Sequence, residues 1–333
     1  MSTNNGSKYK YLLQVDDWCV EFTGKRNVKA VNSVCLGVNA GEILGLVGES
    51  GSGKTVFSLS LLKLLPQAGV FRCGRITWKG ENLLDFDESR MRHVRGSEIA
   101  MIFQDPQASL NPVRHVGVQI SAVIRLHKKC GRAEARQEAI RWLEAVSIAE
   151  PERVYALYPH ECSGGMCQRI LIAMALACQS KLLIADEPTA SLDVTIQAQI
   201  MDLLLEIREK YGTAILLISH DLGVVARMCD RIAVMYRGRI VEQAEARDLY
   251  AKPQHPYTQL LLRSVPAPDP TLRPERTQHE KDFASSQVIP KGTGCDYRYR
   301  CPEVIAQCEG FEPNLIEINK NGHSVACLRR VSS

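Results

Sequence analysis

A glycine-rich segment of eight residues constrains the fold of this chain more than any other feature. It fits the pattern G-x-x-x-x-G-K-[ST] and reads Gly48, Glu49, Ser50, Gly51, Ser52, Gly53, Lys54, Thr55. An apolar strand pattern over 42–47 precedes it, and a helical pattern over 56–65 follows it. In that setting the loop amides and the helix N-terminus bind phosphate, Lys54 reaches the β- and γ-phosphates, and the Thr55 hydroxyl ligates Mg²⁺. The segment therefore predicts a nucleotide-phosphate site with Mg²⁺.

Two acidic residues, Asp186 and Glu187, directly follow an apolar run over 182–185. Open α/β sheets bind ligands at the carboxyl ends of their strands. There Asp186 would hold the Mg²⁺ shell, and Glu187 would polarise a water for attack on the γ-phosphate. An acidic residue after a strand is also a common helix cap. Its combination with the glycine-rich segment favours the catalytic interpretation.

Apolar segments alternate with helical segments through most of the chain and indicate an α/β fold. Strands are predicted over 99–103, 182–185 and 214–218, and helices over 131–147 and 194–210. Such alternation is typical of a parallel sheet with helices on both faces. The remaining predictions are mostly strands over 11–100, helices over 112–178 and a hairpin over 231–241.

Composition and length exclude several classes of protein. The 333 residues suggest about two domains, and 45% hydrophobic with 23% charged residues is ordinary for a globular protein. A net charge of +4, without clustering, is too small to predict a nucleic-acid partner. The longest clean apolar run, 170–178, is too short to span a membrane, and the first ten residues lack the apolar core of a secretory signal. We expect a cytosolic chain, unless a partner holds it at a membrane.

The segment Ser163, Gly164, Gly165, Met166, followed by a helical run, resembles the signature of the ABC ATPases. Other marks of that family occur in the expected order between residues 11 and 245. They are Phe22, where the family places an aromatic ring under adenine, Gln104 of the Q-loop, Ser191, Leu192 and Asp193 of the D-loop, and the switch histidine His220. Each residue alone also fits an ordinary structural role. The ordered set carries the resemblance.

The resemblance implies an ABC-type nucleotide-binding domain over residues 11–250. Its expected parts are a parallel sheet core, an antiparallel β subdomain and a helical subdomain over about 112–178. The resemblance also implies ATP as the ligand and a head-to-tail dimer. The Lys54 loop of one chain and the Ser163 segment of the other would enclose each ATP.

Specific roles follow from the same resemblance. His220 would contact the γ-phosphate and hold the geometry of attack with Glu187. Gln104 would sense Mg²⁺ and report to a transmembrane partner. Two signature positions depart from the common pattern, since Cys162 stands where Leu is usual and Met166 where Gln is usual.

Two further segments resemble the importers of dipeptides, oligopeptides and nickel. They are DPQASLNP over 105–112 and HPYT over 255–258. This resemblance implies a separate ATPase subunit at the cytoplasmic face of the inner membrane. Its partners would be transmembrane permease subunits, an extracytoplasmic solute-binding protein, and a second ATPase subunit or a copy of itself. Di- or oligopeptides are the expected cargo, with nickel or another small solute as the alternative.

Two other functions fit parts of the sequence. A soluble ABC ATPase of translation or DNA repair usually has two nucleotide domains in one chain, or long insertions that bind nucleic acid. This chain shows neither. A regulatory module that binds nucleotide without hydrolysing it would not need Asp186, Glu187 and His220 together. We therefore expect a hydrolysing transport subunit without a nucleic-acid partner.

Residues 251–333 are predicted to form a C-terminal extension, in which the proline-rich stretch over 266–294 is a linker or an extended arm. Four cysteines lie in its last part: Cys295, Cys301, Cys308 and Cys327. Four thiolates suit Zn²⁺ or an iron–sulfur cluster, and the spacing lacks the close pairs of common zinc sites. The subfamily resemblance favours a [4Fe-4S] cluster with a structural role, and zinc, plain thiols or a disulfide are the alternatives. The other eight of the 12 cysteines are interpreted as small core residues.

Overall fold

The structure is a computed structural model that describes residues 10–24, 27–190, 192–264, 294–312, 314–319 and 321–331. Its strands are β1 (Leu13–Phe22), β2 (Val28–Val38), β3 (Ile43–Val47), β4 (Gly69–Trp78), β5 (Glu81–Asn82), β6 (Ile99–Ile102), β7 (Leu182–Asp186), β8 (Ala214–Ser219), β9 (Arg231–Tyr236), β10 (Arg239–Glu245), β11 (Ile316–Glu317) and β12 (Ser324–Val325). Its α-helices are α1 (Lys54–Leu61), α2 (Glu88–Ser97), α3 (Pro106–Ser109), α4 (Val116–Lys128), α5 (Arg132–Ala145), α6 (Pro151–Tyr155), α7 (Gly164–Leu176), α8 (Val194–Tyr211), α9 (Leu222–Met228), α10 (Ala246–Ala251), α11 (Pro256–Arg263) and α12 (Leu328–Val331).

Two sheets organise the described residues. The larger has the strand order β11-β12-β10-β9-β3-β8-β7-β6, and its strands from β9 to β6 are parallel. The smaller is antiparallel and has the order β2-β1-β4-β5. β3 lies inside the larger sheet, and the glycine-rich loop leaves its carboxyl end. The parallel core and the antiparallel unit agree with the predicted architecture.

The central parallel strands are buried along their whole length. Every residue of β3, β7 and β8 is buried. Ile43 and Val47 enter one hydrophobic core, whereas Leu44 and Leu46 enter a second core on the opposite face. Side chains of a strand alternate between faces, so a continuous apolar run marks a strand that is covered on both sides.

The segment between β6 and β7 is helical, as predicted, and closes the first core. On α5, Ala139 and Leu143 are fully buried and face this core. The helix ends two residues before the predicted end at 147, since Ser147 adopts a left-handed backbone with φ of 58°. α1 likewise ends before the predicted 65, close to Lys63 with φ of 53°.

The prediction that the eight cysteines outside the extension are all core residues is wrong for the cysteines of the antiparallel sheet. Cys19 of β1 and Cys73 of β4 form a disulfide, and Cys35 of β2 is exposed. Trp18 and Val20, the neighbours of Cys19, are fully buried. The alternation of a strand therefore turns Cys19 toward the outer face of the sheet. The prediction is confirmed for three buried cysteines, Cys162, Cys167 and Cys229.

The described part of the C-terminal extension joins the larger sheet. β12 pairs with β10, and β11 pairs with β12. The fully buried carboxylate of Glu242 on β10 accepts hydrogen bonds from the backbone N–H groups of Gln254 (2.7 Å) and His255 (2.8 Å). It also lies 2.7 Å from Nε2 of His323, just before β12. The extension is thus fixed to the sheet by strand pairing and by one buried carboxylate.

Two sequence predictions concern the join between the domain and the extension. The predicted boundary at 250 falls within α10. The predicted linker over 266–294 lies outside the described residues, except for Gly294. In the part of the chain that the structure describes, no helix is long and apolar enough to cross a membrane.

Candidate active site

The glycine-rich loop connects β3 to α1, and its geometry requires glycine. Gly53, which precedes α1, has φ of 106°, in a region that glycine adopts without strain. A β-carbon there would lie 2.3 Å from the carbonyl oxygen of Ala30 on β2. Lys54 and Thr55 occupy the first turn of α1, which contains no acidic residue. The helix N-terminus therefore offers its amides and its dipole to an anion.

The Lys54 amine lies over the loop that precedes it. Lys54 is 5% exposed, and its Nζ donates hydrogen bonds to the carbonyl oxygens of Gly48 (2.9 Å) and Glu49 (3.1 Å). Burial lowers the pKa of the amine, and the charges of Glu187, Asp186 and Glu49 oppose this effect. A bound phosphate would stabilise the protonated amine further, since opposite charges attract strongly in a partly buried site.

Asp186, the last residue of β7, fits a ligand of Mg²⁺. It is 2% exposed, and burial raises the pKa of its carboxyl, while a hydrogen bond with the Thr55 side chain lowers it. One carboxylate oxygen, Oδ1, is buried and makes no hydrogen bond. A buried polar atom without a partner is unfavourable. Oxygen ligands from Asp186 and Thr55 are the type that Mg²⁺ prefers, so the residues present fit the ion.

Two side chains contact the carboxylate of Glu187, and all three residues follow neighbouring strands of the larger sheet. Gln104 lies beyond the end of β6, Glu187 follows β7, and His220 follows β8. Nε2 of Gln104 donates a hydrogen bond to Oε2 of Glu187 at 3.0 Å, and Nδ1 of His220 lies 3.3 Å from the same oxygen. Glu187 has φ of 47°, an uncommon value that concentrates at functional sites. Its carboxylate is therefore held in position to orient a water and accept a proton.

These groups share one open cleft. The predicted residues that line it are Ser50, Gly51, Gly53, Lys54, Thr55, Gln104, Glu187 and His220. Five residues predicted to bind ATP or Mg²⁺ are not among its walls: Phe22, Gly48, Glu49, Ser52 and Asp186. Of these, Asp186 lies directly behind the cleft through its contact with Thr55.

The predicted adenine platform lies at the edge of this cleft. Phe22 ends β1 opposite Val28 of β2 and packs against the second hydrophobic core. Val28, which is 57% exposed, is the apolar residue of this pair that lines the cleft. The stacking role of Phe22 stays a prediction.

Sequence motifs missed several residues of the cleft wall. Lys29 comes from β2, Arg237 and Gly238 come from the turn between β9 and β10, and Asp296 comes from the extension. The hairpin itself was predictable from its pattern. Nothing in the local sequence indicates that its turn faces the glycine-rich loop, because that follows from the order of strands in the sheet.

The signature segment forms the exposed start of α7. Ser163 caps the helix, and its hydroxyl accepts a hydrogen bond from the N–H of Met166 at 3.2 Å. Gly164 and Gly165 form the first turn, without an acidic residue. Among the described residues that line the cleft beside Lys54, none belongs to the signature. This helix N-terminus is therefore presented away from the cleft of its own chain.

The D-loop packs against the signature. β-carbons on Gly164 and Gly165 would lie 3.6 Å from Leu192 and 3.0 Å from Ile196. Asp193 caps α8 by accepting a hydrogen bond from the N–H of Ile196 at 3.0 Å. The third predicted D-loop residue, Ser191, lies outside the described residues.

Two cysteines beside the signature are buried. Cys162 is 7% exposed and Cys167 is fully buried, and both belong to the first core. Burial raises the pKa of both thiols, that of Cys167 to about 11. Cys162 thus fills a core position, as the usual leucine would, and the helix start stays packed.

The four cysteines of the extension line one cavity. Among the described residues, no three of these sulfur atoms lie within 4.8 Å of one another. Four thiolates bound to one Zn²⁺ at about 2.3 Å would lie about 3.8 Å apart. The donor set is one that either a [4Fe-4S] cluster or a zinc ion uses.

Two family models match the chain. The model described as ABC transporter matches residues 31–190, and the model described as Oligopeptide/dipeptide transporter, C-terminal region, matches residues 241–308. Together they include the glycine-rich loop, the signature, Asp186, Glu187, the HPYT segment and three of the four cysteines of the extension.

Similar proteins align over nearly the whole chain. The Sinorhizobium fredii protein named "Probable peptide ABC transporter ATP-binding protein y4tR" is 49% identical over 99% of this chain and 98% of its own length. The oligopeptide transport ATP-binding protein OppD of Salmonella typhimurium is 45% identical over 96% and 94%. The dipeptide transport ATP-binding protein DppD of Escherichia coli is 43% identical over 91% and 92%.

Solved structures show the same fold. The ATP-binding cassette MJ0796, as a dimer bound to ADP and Pi, superposes with a TM-score of 0.64 at 24% identity and covers 71% of this chain and 99% of its own. A second dimeric MJ0796 structure, of a bacterial ABC transporter cassette, gives 0.63 at 26% identity with the same coverage. More than a quarter of this chain therefore lies outside the aligned part.

Proposed function

The chain belongs to the ABC transporter family of ATP-binding proteins, and we propose that it hydrolyses ATP to energise the import of di- or oligopeptides. The observation that carries this proposal is the convergence of Gln104 and His220 on Glu187, in the cleft that contains Lys54. Relatives named for peptide, oligopeptide and dipeptide transport, at 43–49% identity, support a peptide cargo. Nickel or another small solute is the alternative cargo.

Each group of residues in the cleft has a distinct role in ATP hydrolysis. The loop amides, the N-terminus of α1 and Lys54 bind the β- and γ-phosphates. Thr55 and Asp186 would hold Mg²⁺, which neutralises phosphate charge. Glu187, held by its hydrogen bond from Gln104 and its contact with His220, orients a water in line with the γ-phosphorus and accepts its proton as the water attacks. The bond from the γ-phosphorus to the bridging oxygen breaks, and ADP and phosphate leave.

We infer that a second ATPase chain completes each site. Ser163 to Met166 present a helix N-terminus without acidic residues on the surface, and such a terminus binds an anion. In a head-to-tail dimer it would meet the γ-phosphate held by the opposite Lys54 loop. A similar solved cassette, 26% identical, is dimeric, which supports the pairing of two chains. The second chain is a copy of this one or a homologous ATPase.

We place the subunit at the cytoplasmic face of the inner membrane, bound to transmembrane permease subunits. The permease would receive its cargo from an extracytoplasmic solute-binding protein. Gln104 links the cleft to the segment 105–112, and Phe103 (41%) and Val113 (80%) expose apolar side chains at its two ends. Exposed apolar groups beside the Q-loop fit a surface that contacts the permease. No feature of the cleft requires a nucleic-acid partner.

We propose that Cys295, Cys301, Cys308 and Cys327 hold a [4Fe-4S] cluster, with zinc as the alternative. The four thiols line one cavity, which supports a shared metal centre. A cluster would cross-link the end of the chain, which has few core residues of its own. The proposed role is structural.

Purification and a hydrolysis assay test the proposed function. We expect Mg²⁺-dependent release of phosphate from ATP, with a specific rate that rises with protein concentration, because each site needs two chains. From detergent-solubilised membranes the chain should co-purify with permease subunits. Nucleotide binding without hydrolysis, also when the homologous ATPase subunit is present, would favour a regulatory module. Co-purification with ribosomes or DNA would favour a soluble ATPase.

A further inference from the structure

We propose that Arg300 and Tyr257 of the extension are positioning residues that hold the phosphate-binding loop in its nucleotide-binding shape. Their common partner is Glu49, which lies 251 residues from Arg300 and 208 residues from Tyr257 in the sequence. The inference rests on the proposed function, since it concerns how this loop binds ATP.

Glu49 is the point at which the extension meets the loop. Arg300 donates hydrogen bonds from Nη1 and Nη2 to the two carboxylate oxygens of Glu49, at 3.0 and 3.2 Å. The Tyr257 hydroxyl accepts a hydrogen bond from the N–H of Glu49 at 2.8 Å. A paired guanidinium–carboxylate contact fixes orientation as well as distance. The extension therefore restrains both the side chain and the backbone of one loop residue.

The restraint at Glu49 reaches the group that meets the phosphate. The carbonyl oxygen of Glu49 accepts a hydrogen bond from Nζ of Lys54 at 3.1 Å and another from the N–H of Ser52 at 3.1 Å. Rotation of the backbone at Glu49 would change both contacts. Holding Glu49 thus preserves the turn of the loop and the position of the lysine amine.

Aromatic packing makes Tyr257 a rigid anchor. It is fully buried, and its ring centroid lies 4.5 Å from that of Tyr236 and 5.5 Å from that of Tyr297. Tyr236 ends β9, the neighbour of β3 in the sheet. Tyr297 lies in the same short segment as Arg300, between the first two cysteines of the extension. One segment therefore supports Tyr257 from behind and presents Arg300 to the loop.

The exposure of the ion pair indicates a role in positioning more than in global stability. The side chains of Arg300 and Glu49 are 27% and 41% exposed, and partly exposed ion pairs add little to the free energy of unfolding. The chain offers a matched control. Arg208 bonds Asp230 at 3.0 and 2.8 Å, with 30% and 43% of the side chains exposed. That pair lies at the opposite end of β3 from the loop.

The test measures nucleotide affinity and melting temperature for full-length variants Arg300→Gln, Tyr257→Phe and Arg208→Gln. The probe is a non-hydrolysable ATP analogue with Mg²⁺. We expect Arg300→Gln and Tyr257→Phe each to raise its Kd about fivefold or more. The melting temperature should shift no more than in Arg208→Gln, whose Kd should equal that of the wild type. Adding Arg300→Gln to Glu49→Gln should cause no further loss, since both changes remove the same contact.

Several outcomes would overturn the inference. Unchanged affinity in either Arg300→Gln or Tyr257→Phe would do so, as would an equal loss in Arg208→Gln or additive losses in the double variant. If the wild-type chain binds the analogue and hydrolyses ATP while the variants bind equally well, only the positioning role fails. If the wild-type chain binds no nucleotide, the proposed function fails and the inference fails with it.

Discussion

Glu187 accepts the proton of the attacking water in the proposed mechanism, so the change Glu187→Gln separates binding from chemistry. The amide keeps the size of the side chain but is a far weaker base. We expect affinity for the ATP analogue to stay near that of the wild type and hydrolysis to fall about a hundredfold or more. Phosphate release and analogue binding should be measured on the same preparation. Near-normal hydrolysis would exclude Glu187 as the base.

Cys167 allows a test of burial beside the signature. Its pKa is raised to about 11, and only the thiolate is alkylated readily. Below that pKa the thiol is protonated, so its alkylation should be slow at pH 7 and rise about tenfold per pH unit toward pH 11. The exposed Cys35 should react first. Iodoacetamide labelling followed by mass spectrometry measures both rates. Labelling of Cys167 as fast as that of Cys35, with a rate that levels off above the ordinary cysteine pKa of about 8.5, would show that the start of α7 opens.

At the residue scale, sequence reasoning can group candidate site residues where one short motif contains them. Lys54 and Thr55 share one loop, and Asp186 and Glu187 are adjacent at the end of one strand. Sequence reasoning did not identify Tyr257 and Arg300, because no local pattern connects either residue to a loop more than 200 residues away. Only the pairing of β12 with β10 and the packing of the tyrosines bring them there.

At the scale of elements, β2, the loop and α1 meet at Gly53. For Gly53→Ala we expect loss of analogue binding and a free energy of unfolding lower by about 2 kcal/mol or more, from backbone strain and the clash with Ala30. Gly51→Ala is the matched control. Gly51 has φ of 78°, but a β-carbon added there would meet no atom within 4 Å, so strain alone should cost about 1 kcal/mol. Denaturant unfolding compares them, and equal losses would contradict the packing explanation.

Periodicity predicted the long elements of the fold and failed for the short ones. The apolar patterns of the buried strands β3, β7 and β8 and of the helices α5 and α8 are long enough for the type of element to be recognised. β11 and β12 contain two residues each, which is too short for any period to emerge. The outward position of Cys19 was also missed, since a cysteine is compatible with either face of a strand.

At the scale of the whole molecule, the four cysteines of the extension predict a coloured protein. Chain purified without oxygen should contain about four irons and four acid-labile sulfides. Cys301→Ser should lose them, whereas Cys35→Ser, at an exposed thiol of the antiparallel sheet, should retain them. Zinc in place of iron would select the alternative metal, and no metal would leave the thiols with another role.

Uptake in cells tests the central claim, which is that ATP hydrolysis by this chain drives peptide import. The gene for this chain would be deleted in the source organism, and the deleted strain would be complemented with the wild-type gene or with a gene that carries Glu187→Gln. Uptake of labelled dipeptide, oligopeptide and Ni²⁺ would then be measured in each strain. We predict that peptide uptake is lost on deletion, restored by the wild type and not restored by Glu187→Gln, while Ni²⁺ uptake is unchanged. Peptide uptake that persists in the deleted strain, or that Glu187→Gln restores, would contradict the claim.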